Sequence, residues 1–165
     1  MKHAKLVTLV VAVIVILSAA VASAQAPPPP PPYGAPISLE LAKRAMTAAE
    51  AEATKNKWNV VIAILDSGGN LVMLHRMDDT QFGSIDVAKS KGHTAVAFRR
   101  PTKVFQDLIG QGGANLRLLN LQGASVLEGG VPIVVGGKII GGIGVSGVTS
   151  QQDAQIAQAG IDALK

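Results

Sequence analysis

The chain has 165 residues, with 15 lysines and arginines against 11 aspartates and glutamates, five aromatics and no cysteine. That length suits one domain, and the missing cysteine removes disulfides, zinc–thiolate and iron–sulfur centres and cysteine nucleophiles together. General nucleic-acid binding needs a concentrated basic surface with stacking aromatics, and a formal charge of +4 with five aromatic rings does not supply it.

Residues 1–24 read as a secretory signal peptide. Lys2 and Lys5 give a positive start, residues 6–21 are almost unbroken apolar, and Ala22-Ser23-Ala24 matches a small-residue cleavage site. A retained membrane anchor is the rival, because the apolar run approaches the ~17–25 residues of a spanning helix. The small-residue site and its place at the N-terminus favour export to the periplasm or medium, with no stable membrane insertion after cleavage. The loss of two lysines would leave 13 basic and 11 acidic residues in a chain of 141. Residues 25–36 form a proline-rich linker, since six consecutive prolines favour an extended polyproline II spacer.

The folded domain is expected over residues 37–165. Ser38 can cap a helix in which Leu39, Ala42, Met46, Ala49 and Ala53 repeat at helical spacing. Residues 58–65 then read as a central strand, residues 66–70 as a Gly/Asn turn, and residues 71–77 as the second arm of a hairpin. A helix from Ser84 must stop before Pro101. Residues 102–109 make a short helix, and residues 110–121 a loose connection. Twelve of the 18 glycines fall between Gly110 and Gly147. Within that stretch residues 131–135 and 138–145 read as two strands joined at Gly136-Gly137. Residues 150–165 close the chain as a helix, with Ser150 and Asp153 spaced like a capping box. Hairpins between helices imply an α+β fold with a central antiparallel sheet flanked by helices.

Gly142-Ile143-Gly144-Val145-Ser146-Gly147 matches the dinucleotide fingerprint G-x-G-x-x-G. That site needs a further strand and an acidic residue ~20 positions on for the ribose. Only 18 residues come after Gly147, and a helix uses nearly all of them. The dinucleotide reading fails on length. Close packing of the glycine strand ranks first instead, and anion binding at the last helix second.

Two histidines lie beyond the leader, His75 and His93. On a strand Leu71, Met73, His75 and Met77 share one face, a stripe that suits either an iron porphyrin or a half-buried core histidine. The segment 87–106 is free of acids but holds Lys89, Lys91, Arg99, Arg100 and Lys103. On a helix from Ser84, Lys89, His93 and Arg100 fall on one polar flank, and Lys91, Thr94 and Phe98 on the other. Such a face is either simply solvated or a trap for carboxylates.

Several motifs, in order and spacing, resemble one family. They are Arg76-Met77-Asp78, Lys91-Gly92-His93-Thr94-Ala95, Pro101-Thr102, Gly129-Gly130-Val131-Pro132-Ile133, residues 140–147 and Gln152-Asp153. Together they resemble the GlcG/HbpS-type haem-binding family, which is related to the C-terminal domain of PduO-type corrinoid adenosyltransferases. The resemblance implies a profilin-like α+β fold and assembly into homo-oligomers, often octamers. It implies haem as cofactor in this pocket region, with axial ligands that vary within the family. On the reading of the residues above, His93 or His75 would coordinate the iron, with Thr94 as an oxygen-donor alternative. Arg76, Lys91 and Arg99 would pair with propionates. Two departures stand out: Asp79 where the family commonly has Gly, and Gly92-His93 where it often has Ala-Tyr.

The leading expectation is an exported haem-binding protein in haem or iron sensing, storage or handling. A cofactor-free lyase or isomerase on a small organic acid is the alternative, with Lys91 or Asp78 as acid–base group and Arg76 on the carboxylate. A third reading is a structural oligomeric module.

Overall fold

The computed structural model describes residues 28–165, and the expected leader lies outside them. Helix α1 (Leu39–Asn56) leads into the hairpin β1 (Val61–Asp66) and β2 (Leu71–Arg76). Helices α2 (Ser84–Ala97) and α3 (Lys103–Gly110) come next, then a 3-10 segment over Gly113–Asn120. A second hairpin, β3 (Gly130–Val135) and β4 (Lys138–Ser146), precedes the closing helix α4 (Ser150–Asp162). The order expected from sequence is therefore found. The connection after α3 differs, because it winds into 3-10 turns.

The four strands form one antiparallel sheet in the order β2-β1-β4-β3. Both hairpins place their strands side by side, and β1 joins them by pairing with β4. Strand β1 is central and buried along almost its whole length, which is why it reads as apolar on both alternating sets. Ile62 and Ile64 face α1 and α4 in the main core, with Ala42, Met46, Ala49, Ile156 and Ala157. Val61, Ala63 and Leu65 face Ala88 of α2 on the other side. The molecule is thus three layers, with α1 and α4 on one face of the sheet and α2 on the other.

Alanine on α1 and glycine on β4 let these layers approach closely. A Cβ on Gly144 would strike the Ala88 carbonyl and the Gly92 amide of α2. The glycine run is thus a packing surface between strand and helix, as its spacing suggests.

Helix ends agree with the sequence, with one shift. Ser38 caps α1 by accepting from the Leu41 amide at 3.3 Å. In α4 the capping box belongs to Thr149 and Gln152, one residue earlier than expected. Asp153 is turned inward and buried instead. Residues 32–37, mostly within the expected linker, are laid along β4. The Ile139 amide donates to Pro32 O at 2.9 Å, Gly34 donates to Ile139 O at 2.8 Å, and Ile37 donates to Ile140 O at 2.8 Å. Among the described residues no helix is long and apolar enough to cross a membrane.

Candidate functional site

The turn between β1 and β2 is built by Asp66. Its Oδ1 accepts from the amides of Gly68 at 2.8 Å and Asn70 at 2.9 Å. Hydrogen bonds from the Asn70 backbone, then from its side chain and the Gly68 and Gly69 amides, outweigh the cost of burial and hold the carboxyl below its ordinary 3.8. The turn carries Gly69 at φ 81°, a conformation glycine adopts freely. Gly69 lies against the His93 ring: a Cβ there would stand 2.9 Å from Cδ2 and 3.3 Å from Nε2.

His93 itself is exposed on α2. It borders a cleft of about 340 Å³ with Leu65 and Leu71 as apolar wall and Lys89 at its edge. Lys89 donates to Asp86 at 3.0 Å, one turn back on the same helix. Asp86 lines the cleft as well, so the cleft joins an imidazole, an apolar surface and the Lys89–Asp86 pair. The N–H groups of Lys89 not given to Asp86 suit a flat apolar ligand with an acidic edge.

The other expected site residues fall elsewhere. His75 lies on the α1 side of the sheet, because it pairs with Ile62 across the strands. Its Nδ1 meets Glu50 Oε1 at 2.6 Å. Met73 and Met77 pack on the main core beside it. His75 and His93 therefore occupy opposite faces of the sheet and cannot share one ligand within a chain. Arg76 pairs with Val61 on the α2 side, and its guanidinium stacks 4.9 Å from the Phe82 ring centre.

Lys91 departs most from the polar flank assigned to it. It is 2% exposed and donates to Asp153 Oδ2 at 2.7 Å and to Val145 O at 3.0 Å. Burial raises the Asp153 carboxyl above its ordinary range, against the pull of Lys91 and the Val148 and Gly147 amides. The ammonium has no open side for a propionate or a substrate acid. Thr94 is also buried; its hydroxyl donates to Ser90 O and accepts from the Ser125 amide, both at 2.7 Å. Arg99 stands with its guanidinium 5.7 Å from the Tyr33 ring centre and borders the prolines at residues 28–30. Of six expected residues the structure brings only His93 to this cleft.

Sequence reasoning grouped Lys89 with His93 but did not single out Gly69 or Leu65 as its partners. Helical spacing places Lys89 on the His93 flank; the turn and the strand carry no signal linking them to it. Asp153 was visible as a capping residue and in the Gln152-Asp153 motif, but not as the partner of Lys91. Among the described residues no three His, Asp or Glu side chains converge on a metal-sized site. An iron bound at His93 would therefore draw its remaining ligands from outside these side chains.

A family model described as haem degrading protein HbpS-like matches residues 37–162. The chain belongs to the HbpS-like family. GlcG of Escherichia coli K12 is 41% identical over 110 residues, 67% of this chain and 81% of GlcG. HbpS of Streptomyces reticuli, crystallised as a double mutant, superposes with a TM-score of 0.73 at 32% identity, covering 80% of this chain and 89% of that one. A PduOC–haem complex superposes with a TM-score of 0.72 at 33% identity, covering 78% of this chain and 94% of the other. The α+β, profilin-like fold expected for HbpS-like proteins is the fold found here.

Proposed function

We propose that this chain binds haem, and that it does so at the His93 cleft. The observation that carries the reading is the exposed His93 ring set beside the apolar Leu65 and Leu71 with Lys89 close by. Histidine is a natural axial ligand to haem iron, an apolar wall suits a porphyrin face, and an ammonium suits a propionate. Membership of the HbpS-like family and the likeness to the PduOC–haem complex support it. At about 340 Å³ the cleft is at the small end of ligand pockets, which run to ~300–1,000 Å³. It takes one side of the group, and His93 would hold the iron while Lys89 meets a propionate.

The protein works outside the cytoplasm in this reading, after removal of residues 1–24, in handling, storing or sensing haem or iron. Assembly into a homo-oligomer is part of the same proposal, and the resemblance between family members supports it.

Haemin titrated into the purified protein should give a sharp, saturable Soret band. His93→Ala should weaken binding by about tenfold or more, roughly 1.4 kcal/mol per decade, or move the band. His75→Ala should leave both unchanged. A broad, unsaturable absorbance, or an unaltered spectrum in His93→Ala, overturns the assignment.

A further inference from the structure

A second cleft, of about 510 Å³, lies between the prolines at residues 28–30 and the junction of α2 with α3. Its other lining residues are Arg99, Arg100 and Val104, and it shares none with the His93 cleft. The two arginines close the last turn of α2. The Arg99 amide donates to Val96 O at 3.1 Å and the Arg100 amide to Ala95 O at 3.2 Å, the paired bonds of a Schellman end. That motif puts the residue after the cap in the left-handed region, where glycine is usual. Here the residue is Arg99, at φ 53°. A side chain in that conformation carries a steric cost that glycine avoids, so arginine stands at this position against the preference of its backbone.

The groups that hold the two guanidiniums carry no charge. Arg99 lies over the Tyr33 ring, 5.7 Å from its centre, and Arg100 gives its Nε to Phe98 O at 3.0 Å. The negative end of α2 favours a nearby cation, and Arg100 meets it through that one bond. The acid-free run 87–106 holds three lysines and these two arginines. Each lysine has an acid from outside the run: Lys89 has Asp86, Lys91 has Asp153 and Lys103 has Asp107. Neither arginine is ion-paired among the described residues. Residues 1–27, which precede the proline wall in the chain, contain no acid either. The cleft therefore sets two guanidinium groups beside the apolar surface of Val104 and three proline rings, with no carboxylate in its lining.

We propose that this cleft binds a small organic dianion, a phosphate monoester or a dicarboxylate with an apolar body. A guanidinium fork matches two oxygens of a carboxylate or phosphate, and two forks call for two negative charges. The proline and valine wall favours an anion that brings hydrocarbon surface over a bare one. An ammonium compound of the same shape would meet like charge. The volume is within the ~300–1,000 Å³ of ligand pockets.

Amide chemical shifts of the full protein test the site, tracked by NMR during titration with phenyl phosphate, phthalate, inorganic phosphate and benzylammonium. The titration is run at slightly alkaline pH, where a phosphate monoester carries close to two charges. At least one of the two aryl dianions should give saturable shifts at Arg99, Arg100 and Val104, and the tighter of them names the source of the anion. Inorganic phosphate should bind several-fold more weakly, and benzylammonium should give no saturable shift. Arg100→Gln, an exposed change, should weaken the tighter dianion by about fivefold or more, the worth of one lost hydrogen bond. Arg99→Gly, which suits the left-handed backbone, should weaken it as much in a protein that folds normally. The absence of a saturable shift with both aryl dianions overturns the proposal. So does inorganic phosphate or benzylammonium binding as tightly as they do, or unchanged affinity in either arginine variant.

Discussion

At the scale of single residues, Lys91–Asp153 is the one fully buried ion pair among the described residues. Lys91 comes from α2 and Asp153 from α4, 62 residues apart, and both are about 2% exposed. A buried pair repays the removal of two charges from water only while both partners stay in place. Lys91→Met should therefore destabilise the fold by about 3–5 kcal/mol, because Asp153 is left charged and unpaired. Adding Asp153→Leu should recover most of that loss, and denaturant unfolding of the four proteins closes the cycle. Strict additivity of the two single changes would contradict the pairing. Nothing in the spacing around Lys91 announces this partner. A lysine in an acid-free basic run reads as solvated, and only a helix docked from the far end of the chain removes it from water.

At the scale of elements, the approach of β4 to α2 is set by glycine. A side chain on Gly144 would run into the backbone of α2 at Ala88 and Gly92, and backbone cannot turn aside as a side-chain tip can. Gly144→Ala should cost about 1–3 kcal/mol through overpacking, despite alanine's lower entropy cost in a strand. Thermal or denaturant unfolding measures it, and a neutral or stabilising outcome would show that the layers are free to part. The hairpins were legible because Gly and Asn punctuate two apolar runs at residues 66–70 and 136–137. The 3-10 turns over Gly113–Asn120 were not, since Gly110, Gly112 and Gly113 signal a break without specifying the backbone beyond it.

At the scale of the whole molecule, residues 32–37 tie the start of the described chain to the sheet and to α2. Beyond the backbone bonds to β4, the Tyr33 hydroxyl donates to Val96 O at 2.8 Å and reaches Ala97 O at 3.2 Å. Those carbonyls end α2, and the hydroxyl adds to the bond that Val96 O already accepts from the Arg99 amide at 3.1 Å. Tyr33→Phe should destabilise the protein by about 0.5–1.5 kcal/mol, the worth of one net hydrogen bond, and should raise amide exchange at the end of α2. Unaltered exchange there would mean that the tyrosine contributes only its ring.

The sequence by itself determined the class and order of the elements, because strand and helix periodicities and glycine turns are local properties of neighbouring residues. It also carried the family, through motifs spread in register from Arg76 to Asp153. Tertiary structure decided which charged groups remain available. His75 and His93 have equal standing in sequence, yet the pairing of β2 with β1 sends them to opposite faces. Lys91 and Thr94 fall on a polar flank by helical spacing, yet α4 and residue 125 close over them. Burial depends on what the rest of the chain packs against a residue, and that information is not held in its neighbours.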